Sequence, residues 1–266
     1  MDLNLTSKTA LVTGSHRGTG AGIAQVLAAE GASVVVHGLE AGQPDPIVAA
    51  IREAGGNASS VTGDPRSEEG ADEIARGLAT HGHPIDILVN NYGAAAGGGW
   101  LDGSSEDWTS MFETNVLSGV RLVRRLAGDM KSRGWGRIVF VGTVGSVRPR
   151  KQTPGYYAAK ASLPAMTVSL SKELSGSGVT VNLISPGLIA TAEVRAMVER
   201  RAEKKGWTGS WEELEKRAAS DFMPTPSGRI ARPDEVGALV AFVCSGWAAS
   251  INGADLRIDG GAADCV

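Results

Sequence analysis

The chain has 266 residues, of which 42% are hydrophobic and 21% charged, as in an ordinary soluble globular protein. Its net charge of −3 gives no reason to expect a nucleic acid or an anionic membrane as a partner. Two cysteines, Cys244 and Cys265, are too few for a disulfide framework or a zinc site, so no metal is expected. The first residues lack the pattern of a signal peptide, and no apolar run approaches the roughly 20 residues of a membrane span. We therefore expect a cytoplasmic protein.

Short β-branched segments alternate with longer amphipathic segments along the whole chain. Several of the short segments are mostly apolar, as in strands covered on both faces. This alternation predicts an α/β fold with a doubly wound, seven-stranded parallel sheet in a single domain, residues 1–266. Seven strands are one too few for an eightfold barrel. The predicted strands are 9–13, 33–37, 59–62, 85–90, 137–143, 179–184 and 255–258, and the predicted helices are 20–30, 46–54, 67–80, 105–133, 155–175 and 233–245.

Residues 191–228, called the insertion below, interrupt this alternation. They contain no predicted strand but carry helical, charged sequence with Trp207 and Trp211. In a doubly wound sheet the insertion follows the carboxyl end of a strand, where ligands bind. We interpret it as a substrate lid. The alternative is that its aromatic residues simply pack the insertion onto the body of the protein.

A glycine-rich turn follows the first predicted strand and precedes an alanine-rich helix. Glycines there allow a tight turn and let the backbone approach a pyrophosphate, which then lies at the helix N-terminus. The spacing is G-x3-G-x-G, and the position between a strand and a helix supports the assignment. We predict a dinucleotide-binding loop formed by Gly14, Ser15, His16, Arg17, Gly18, Thr19 and Gly20.

The end of the second predicted strand bears on which nicotinamide cofactor binds. An acidic residue there would bind the ribose 2′-hydroxyl of NAD and repel a 2′-phosphate, but Gly38 occupies this position. His16 and Arg17 could supply cations for the 2′-phosphate. Glu40, and a leucine rather than an arginine at position 39, weigh against this. Taken together, these residues favour NADP over NAD as the cofactor.

Tyr156 and Lys160 are four residues apart in a predicted helix and therefore lie on one face of it. A lysine ammonium group beside a phenol favours the phenolate and lowers the tyrosine pKa from its ordinary value of about 10. A tyrosine of that kind can exchange a proton near neutral pH, as reduction of a carbonyl requires. Tyr157 has no lysine four residues on and is predicted to be a packing residue.

These motifs, in this order, resemble the short-chain dehydrogenase/reductase family over nearly the whole chain. The resemblance implies a Rossmann-type fold. It rests on the T-G-x3-G-x-G loop, an N-N-x-G motif at residues 90–93, the Y-x3-K pair, and a P-G-x3-T run beginning at Pro186. The tail, residues 228–261, is similar to that of bacterial 3-oxoacyl-(acyl-carrier-protein) reductases. The family's further cofactor contacts correspond to Asp64 at the adenine, and to Asn91, Gly93, Lys160, Pro186, Gly187 and Thr191.

The same resemblance implies a catalytic serine thirteen residues before the tyrosine, but that position is Thr143. A threonine hydroxyl makes the same hydrogen bonds, although its methyl group narrows the substrate pose. Ser146 is the alternative. The resemblance also assigns Asn115 to a water that supplies protons through Lys160. From the residues alone, Asn115 would be only a poor helix former within a helix.

Two functions remain open from the sequence. The first is an NADP-dependent oxidoreductase acting on a ketone, an acyl thioester carbonyl or a secondary alcohol. The second is a catalytically silent nucleotide-binding protein with the same fold, since fold alone does not determine function. Trp100 and the tryptophans of the insertion suggest a hydrophobic or cyclic substrate, whereas the tail points to a ketoacyl thioester. The family resemblance further implies a homotetramer built on the helices at 105–133 and 155–175.

Overall fold

The computed structural model describes residues 2–222 and 224–264, so Met223 in the insertion and Cys265 lie outside the described residues. Seven parallel strands form one sheet in the order β3-β2-β1-β4-β5-β6-β7. The strands are β1 Thr9–Val12, β2 Ser33–Gly38, β3 Asn57–Thr62, β4 Ile87–Asn90, β5 Gly136–Val141, β6 Val179–Pro186 and β7 Asp255–Ile258. The helices are α1 Gly18–Ala29, α2 Asp45–Glu53, α3 Glu68–Ala79, α4 Ser105–Phe112, α5 Ser118–Ser132, α6 Pro154–Ala161, α7 Leu163–Glu173, α8 Ala192–Lys205, α9 Trp211–Phe222 and α10 Pro233–Cys244.

The sheet is covered on both faces, which explains its apolar strands. On one face Ile23 and Leu27 of α1 pack with Val240 of α10 against the sheet, and all three are fully buried. On the other face, α3, α5 and α7 contribute a second buried cluster that includes Ile74 and Leu122. Burying each such side chain stabilises the fold by about 1.5–3 kcal/mol. The predicted doubly wound fold is confirmed.

The chain reverses its direction of winding beside β1, which pairs with β2 on one side and β4 on the other. Ligands of open parallel sheets bind in the crevice at such a point, outside the carboxyl ends of the strands. The loops that follow β1, β2, β4, β5 and β6 therefore meet at one edge of the sheet. In the described part of the chain, no helix has both the length and the apolar character needed to span a membrane.

Both long predicted helices are interrupted. The first consists of α4 and α5 joined by a π-helical segment, Glu113–Leu117. The second consists of α6 and α7, which meet at Ser162 just before Pro164. Proline has no N–H to continue the hydrogen-bond ladder, so the helix breaks there. The sequence pattern showed the apolar faces of these helices but not their interruptions.

The insertion has a small hydrophobic core of its own. Val198 of α8 packs against Ala218 and Ala219 of α9, and the partly buried ring of Trp211 packs on this cluster. The Arg195 guanidinium lies 4.6 Å from the centre of the Trp211 ring. Trp211 is therefore a packing residue, as the alternative interpretation of the insertion held.

Candidate active site

A cleft of about 530 Å³ opens at the carboxyl edge of the sheet, between the loop after β1 and the start of the insertion. It brings together most of the residues predicted from the sequence, although they come from five different loops and helices. The predicted residues in its wall are Gly14, Arg17, Gly18, Thr19, Gly20, Asn91, Gly93, Thr143, Tyr156, Lys160, Pro186, Gly187 and Thr191.

Five predicted residues lie outside the wall of this cleft: Ser15, His16, Gly38, Asp64 and Asn115. Ser15 is fully buried, and its hydroxyl donates to the Val12 carbonyl at 2.6 Å. Its place in the glycine-rich turn therefore serves the shape of the loop.

The loop after β1 depends on its glycines. Gly14 and Gly18 have φ values of +60° and +58°, a region that other residues rarely adopt. Gly20, in the first turn of α1, lies so close to the preceding loop that a methyl group there would lie 2.5 Å from the Gly14 carbonyl oxygen. Each glycine is thus required by backbone geometry, and the turn leaves room for a phosphate at the N-terminus of α1.

The two predicted cations of this loop differ. Partial burial, and then the charge of Arg17, lower the pKa of His16, so that ring is neutral at physiological pH. Arg17 lies in the wall of the cleft with 71% of its side chain exposed. Its guanidinium is 3.3 Å from the carboxylate of Glu193, in the first turn of α8. Arg17 is therefore the cation of this loop that faces the cleft, while the lowered pKa of His16 disfavours a charged imidazole. A contact between His16 and a 2′-phosphate stays a prediction.

Gly38 ends β2 without an acidic side chain. A methyl group at this position would lie 2.9 Å from Cβ of Gln43, so the packing of Gln43 itself requires glycine. The side-chain oxygen of Gln43 accepts hydrogen bonds from the backbone N–H groups of Leu39 and Glu40 at 2.9 and 3.3 Å. The carboxylate of Glu40 is on an exposed residue beyond the strand.

Asp64, predicted at the adenine, is engaged by its neighbour Arg66. The guanidinium donates to both carboxylate oxygens at 2.6–3.0 Å, and this interaction is the main reason that the pKa of Asp64 is lowered. The two side chains border an open groove between α3 and α4, next to the cleft rather than in it.

Tyr156 and Lys160 project from α6 into the cleft, but their electrostatics differ from the prediction. Burial raises the pKa of Tyr156 to about 12; Tyr157 contributes to the rise, and a hydrogen bond with Thr143 partly opposes it. Burial lowers the pKa of Lys160 to about 8, and its ammonium group donates to the Val141 carbonyl at 2.7 Å. The prediction of a lowered tyrosine pKa is wrong in this structure, because the cost of burying a phenolate dominates.

Thr143 lies two residues beyond β5 and caps a short 3-10 turn, where its hydroxyl accepts from Gly145 N–H at 3.1 Å. The same hydroxyl is hydrogen-bonded to Tyr156 and faces the cleft. The ring of Tyr157 packs directly against Gly145 and so holds this turn in place. Ser146 is outside the wall, and its buried hydroxyl has no partner among the described residues. The geometry favours Thr143 over Ser146.

Asn115 lies behind the cleft, in the π-helical segment. Its side chain exchanges two hydrogen bonds with the backbone of Ala94, at 2.9 and 3.1 Å, and donates to the Met111 carbonyl at 3.0 Å. A methyl group at Gly93 would lie 2.6 Å from the Asn115 side-chain oxygen and 3.2 Å from the Lys160 nitrogen. Asn115 therefore fixes the loop after β4 beside Lys160, and the π-helical turn is the type of helix distortion often found at functional sites.

Six wall residues are not singled out by the sequence motifs: Ala94, Ala95, Val141, Gly142, Ile189 and Glu193. The first five are small or apolar, and Glu193 is a charged residue of the insertion. Each lies within two residues of a motif residue, which is the one signal that could have found it. None of the tryptophans in the described chain lines the cleft, and Trp100 is 70% exposed, with its ring 5.2 Å from that of Trp108. The tryptophans thus give no support for a hydrophobic substrate.

Comparison with known proteins places this geometry among nicotinamide-dependent enzymes. Residues 14–263 match a protein family described as enoyl-(acyl carrier protein) reductase. The chain is 35% identical to D-β-hydroxybutyrate dehydrogenase of Cupriavidus necator and 32% identical to a 3-oxoacyl-(acyl-carrier-protein) reductase of Vibrio cholerae, each over 97% of this chain and 98% of the relative. The crystal structure of L-sorbose reductase from Gluconobacter frateurii, complexed with NADPH and L-sorbose, matches it with a TM-score of 0.92, 29% identity and full coverage of both chains.

Proposed function

Because the chain belongs to the short-chain dehydrogenase/reductase family, we propose that it catalyses the NADPH-dependent reduction of a ketone to a secondary alcohol. The observation that carries the proposal is the cleft itself. It places the hydrogen-bonded hydroxyl groups of Thr143 and Tyr156 and the buried Lys160 opposite a glycine loop shaped for phosphates.

The cofactor is NADP(H), the nucleotide favoured by the sequence. The loop from Gly14 to Gly20 would hold the pyrophosphate, and the run from Pro186 to Thr191 would hold the nicotinamide end. Arg17 is the cation available to a 2′-phosphate, and the end of β2 carries no acidic side chain to repel one. L-Sorbose reductase, which shares this fold, was solved with NADPH bound.

When bound, NADPH supplies the hydride that reduces the carbonyl carbon. Thr143 would donate a hydrogen bond to the substrate oxygen and hold it next to Tyr156. Tyr156 would transfer its phenolic proton to that oxygen as negative charge develops, a form of general acid catalysis. Lys160 would keep a positive charge beside the site, and Asn115 and Gly93 hold the backbone next to it.

The charge states support reduction as the direction at neutral pH. With a pKa of about 12, Tyr156 is protonated and can act as an acid without first taking up a proton. Oxidation of an alcohol would require the phenolate, which burial disfavours here. At neutral pH the protein is therefore expected to be in the protonation state that catalyses reduction, whereas oxidation would first require loss of the phenolic proton.

The substrate proposed is a small ketone rather than a thioester carried by an acyl carrier protein. The wall of the cleft includes the small side chains of Ala94 and Ala95 and the apolar side chain of Ile189. Arg148, five residues after Thr143, already donates to the Ala262 carbonyl of the chain's own C-terminal segment. A guanidinium engaged in this way keeps its charge but has fewer N–H groups left to bind the carboxylates of an acidic carrier.

We also propose that the protein is a cytoplasmic homotetramer and that the insertion is a lid. An apolar groove of about 370 Å³ lies between α5 and α7, lined by Val120, Met166 and Leu170 among others. A face of this kind can be covered by the same helices of a second copy. The insertion reaches the cleft through Thr191 and Glu193.

The proposed activity can be tested by following NADPH consumption with small ketones, including L-sorbose and acetoacetate, and with an acetoacetyl thioester. Turnover of a small ketone is expected. Tyr156→Phe should reduce kcat by about 10²–10⁴-fold, the contribution usual for a general acid, whereas Tyr157→Phe should change it little. NADPH binding without turnover of any substrate would support the silent nucleotide-binding protein instead.

A further inference from the structure

His37, at the end of β2, is a buried histidine that the proposed chemistry does not use. Its side chain is completely inaccessible to solvent. Burial lowers its pKa to about 4, so the ring is neutral at physiological pH. His16, Asp64 and Tyr92 lie around it: His16 further disfavours its charge, Asp64 favours it, and the Tyr92 ring meets it edge-on at 6.4 Å.

The hydrogen bonds of His37 fix which ring nitrogen carries the hydrogen. The backbone N–H of Gly14 donates to Nδ1 at 2.9 Å, so Nδ1 must be the acceptor. Nε2 therefore carries the hydrogen and donates it to the Gly63 carbonyl at 3.0 Å, just after β3. Both nitrogens are satisfied, and they connect the loop after β1 to the loop after β3.

His37 and Asn91 hold opposite sides of the same two peptide groups. On one side, His37 accepts from Gly14 N–H through Nδ1 and from Ser15 N–H through its backbone carbonyl, at 2.9 and 3.0 Å. On the other side, the Asn91 side chain donates to the carbonyls of Thr13 and Gly14, at 2.9 and 3.2 Å. The peptides 13–14 and 14–15 are thereby held on both edges and cannot rotate without breaking hydrogen bonds that are largely shielded from water.

These two peptides determine where the rest of the loop points. They carry Gly14, whose φ of +60° reverses the chain toward Arg17 and the start of α1. A buried N–H left without an acceptor is costly, so loss of the Nδ1 acceptor would favour other conformations of this turn. Tyr92 closes the same space, since a methyl group on Gly14 would lie 3.2 Å from its Cα.

We propose that His37 is a positioning residue for cofactor binding: its neutral Nδ1 holds the Gly14 N–H and so presets the phosphate-binding conformation of the loop. This inference rests on the proposed function only in that the ligand is a dinucleotide. It does not depend on the substrate or on Tyr156. Asn91 supplies the matching half of the clamp from the loop after β4.

Two amide substitutions separate this role from simple packing. In His37→Asn, the side-chain oxygen can take the place of Nδ1 and accept from Gly14 N–H. In His37→Gln, the longer side chain reaches toward Gly63 and leaves the Gly14 N–H without its acceptor. Both substitutions remove the imidazole ring. If the ring served only for packing, the two variants would therefore change NADPH binding and Gly14 amide exchange to the same extent. The exposed His83, changed to Gln, is the matched control.

The dissociation constant for NADPH is measured by fluorescence without any ketone, and amide hydrogen exchange of Gly14 is measured without nucleotide. We expect His37→Gln to raise the dissociation constant about tenfold and to accelerate Gly14 exchange by a similar factor, as expected for a lost hydrogen bond. For His37→Asn, the dissociation constant and the Gly14 exchange rate should each stay within about threefold of the values for the unaltered protein. Equal effects of the two substitutions on both readouts would overturn the proposal.

If neither variant folds, measurements on the unaltered protein still test the proposed role of His37. The ¹⁵N shifts of His37 should show an unprotonated Nδ1 and a protonated Nε2, and the Gly14 amide should be strongly protected from exchange. The opposite tautomer, or an unprotected Gly14 amide, would contradict the proposal. If the unaltered protein binds no NADPH, the proposed function fails, while the tautomer and exchange measurements still test the role of His37 in the loop.

Discussion

The loop at 13–20 and the insertion at 191–228 form opposite walls of one cleft, yet they are held in different ways. The loop is held by hydrogen bonds to His37 and Asn91, by the positive φ angles of Gly14 and Gly18, and by the close packing of Gly20, where a side chain has no space. The insertion packs on its own small core. The two walls meet where Thr191 lies beside Gly18 and where Glu193 lies 3.3 Å from Arg17.

This difference explains why the role of the loop can be predicted from the sequence, whereas the role of the insertion cannot. The backbone geometry of the loop requires glycine at particular positions. A glycine-rich turn of this kind before a helix indicates that the ligand is a dinucleotide. The side chains of the insertion mainly pack against one another, and few of them face the cleft. Substitutions should therefore have large effects near the loop and the catalytic turn and small effects in the insertion.

After that of Tyr156→Phe, the largest effect is expected at Thr143, in the wall of the cleft. Thr143→Val removes the hydroxyl that would hold the substrate oxygen and should lower kcat by about 10²–10³-fold, the usual cost of losing such a donor. Thr143→Ser keeps the hydroxyl and should retain most of the activity. Equal turnover by the valine variant and the unaltered enzyme, in steady-state kinetics, would remove Thr143 from the mechanism.

Within the loop, Gly20→Ala should raise the dissociation constant for NADPH by about 100-fold, equivalent to about 2.7 kcal/mol. The reason is steric, because the added methyl group would lie 2.5 Å from the Gly14 carbonyl oxygen. Gly128→Ala is the matched control, since nothing lies within 4 Å of a methyl group there. It should leave binding unchanged and stabilise α5 by about 0.5–1 kcal/mol. Normal binding by Gly20→Ala would show that the loop is more adaptable than its contacts indicate.

The pH dependence tests the catalytic pair itself. The pKa of Lys160 is lowered from its ordinary 10.5 to about 8, so its charge is present below pH 8 and lost above it. Reduction should therefore slow above pH 8, by about tenfold per unit once the lysine is mostly neutral. The free energy of unfolding should rise between pH 8 and 10.5, because the unfolded chain binds that proton more tightly. A kcat that stays flat to pH 10 would contradict this role.

The smallest effect is expected at Glu193 in the insertion. Its carboxylate pairs with Arg17 in an exposed position and would compete with a cofactor phosphate for that guanidinium. Glu193→Gln should lower the dissociation constant for NADPH by about two- to fivefold at low salt, and the difference should shrink at high salt. Weaker binding by this variant would mean that the ion pair closes the insertion over the cofactor instead.

Much of the fold could be read from the sequence. All seven strands overlap the segments predicted as strands, and β7 matches its predicted bounds. Parallel strands covered on both faces leave a strong pattern, because every residue of a strand such as β1 is buried. The π-helical segment left no comparable signal, since it depends on tertiary hydrogen bonds between Asn115 and Ala94.

The sequence motifs identified most of the residues that the structure brings together, but not their electrostatics. The spacing of Tyr156 and Lys160 predicted that both lie on one helix face, and both line the cleft. It could not show that the Lys160 ammonium group bonds to Val141 or that burial would raise the pKa of the tyrosine. Those facts depend on what surrounds the helix. His37 was missed as a positioning residue for the same reason, because its two ring partners come from distant loops.

The most direct test of the proposed function is the transfer of deuterium to a ketone from NADPH that carries deuterium at both C4 positions of the nicotinamide. We expect one deuterium on the carbinol carbon of the alcohol, in amounts equal to the NADPH consumed, and we expect Tyr156→Phe to bind the cofactor but form little labelled product. NADPH that binds in the cleft while its label stays on the cofactor, across the whole ketone panel, would contradict it.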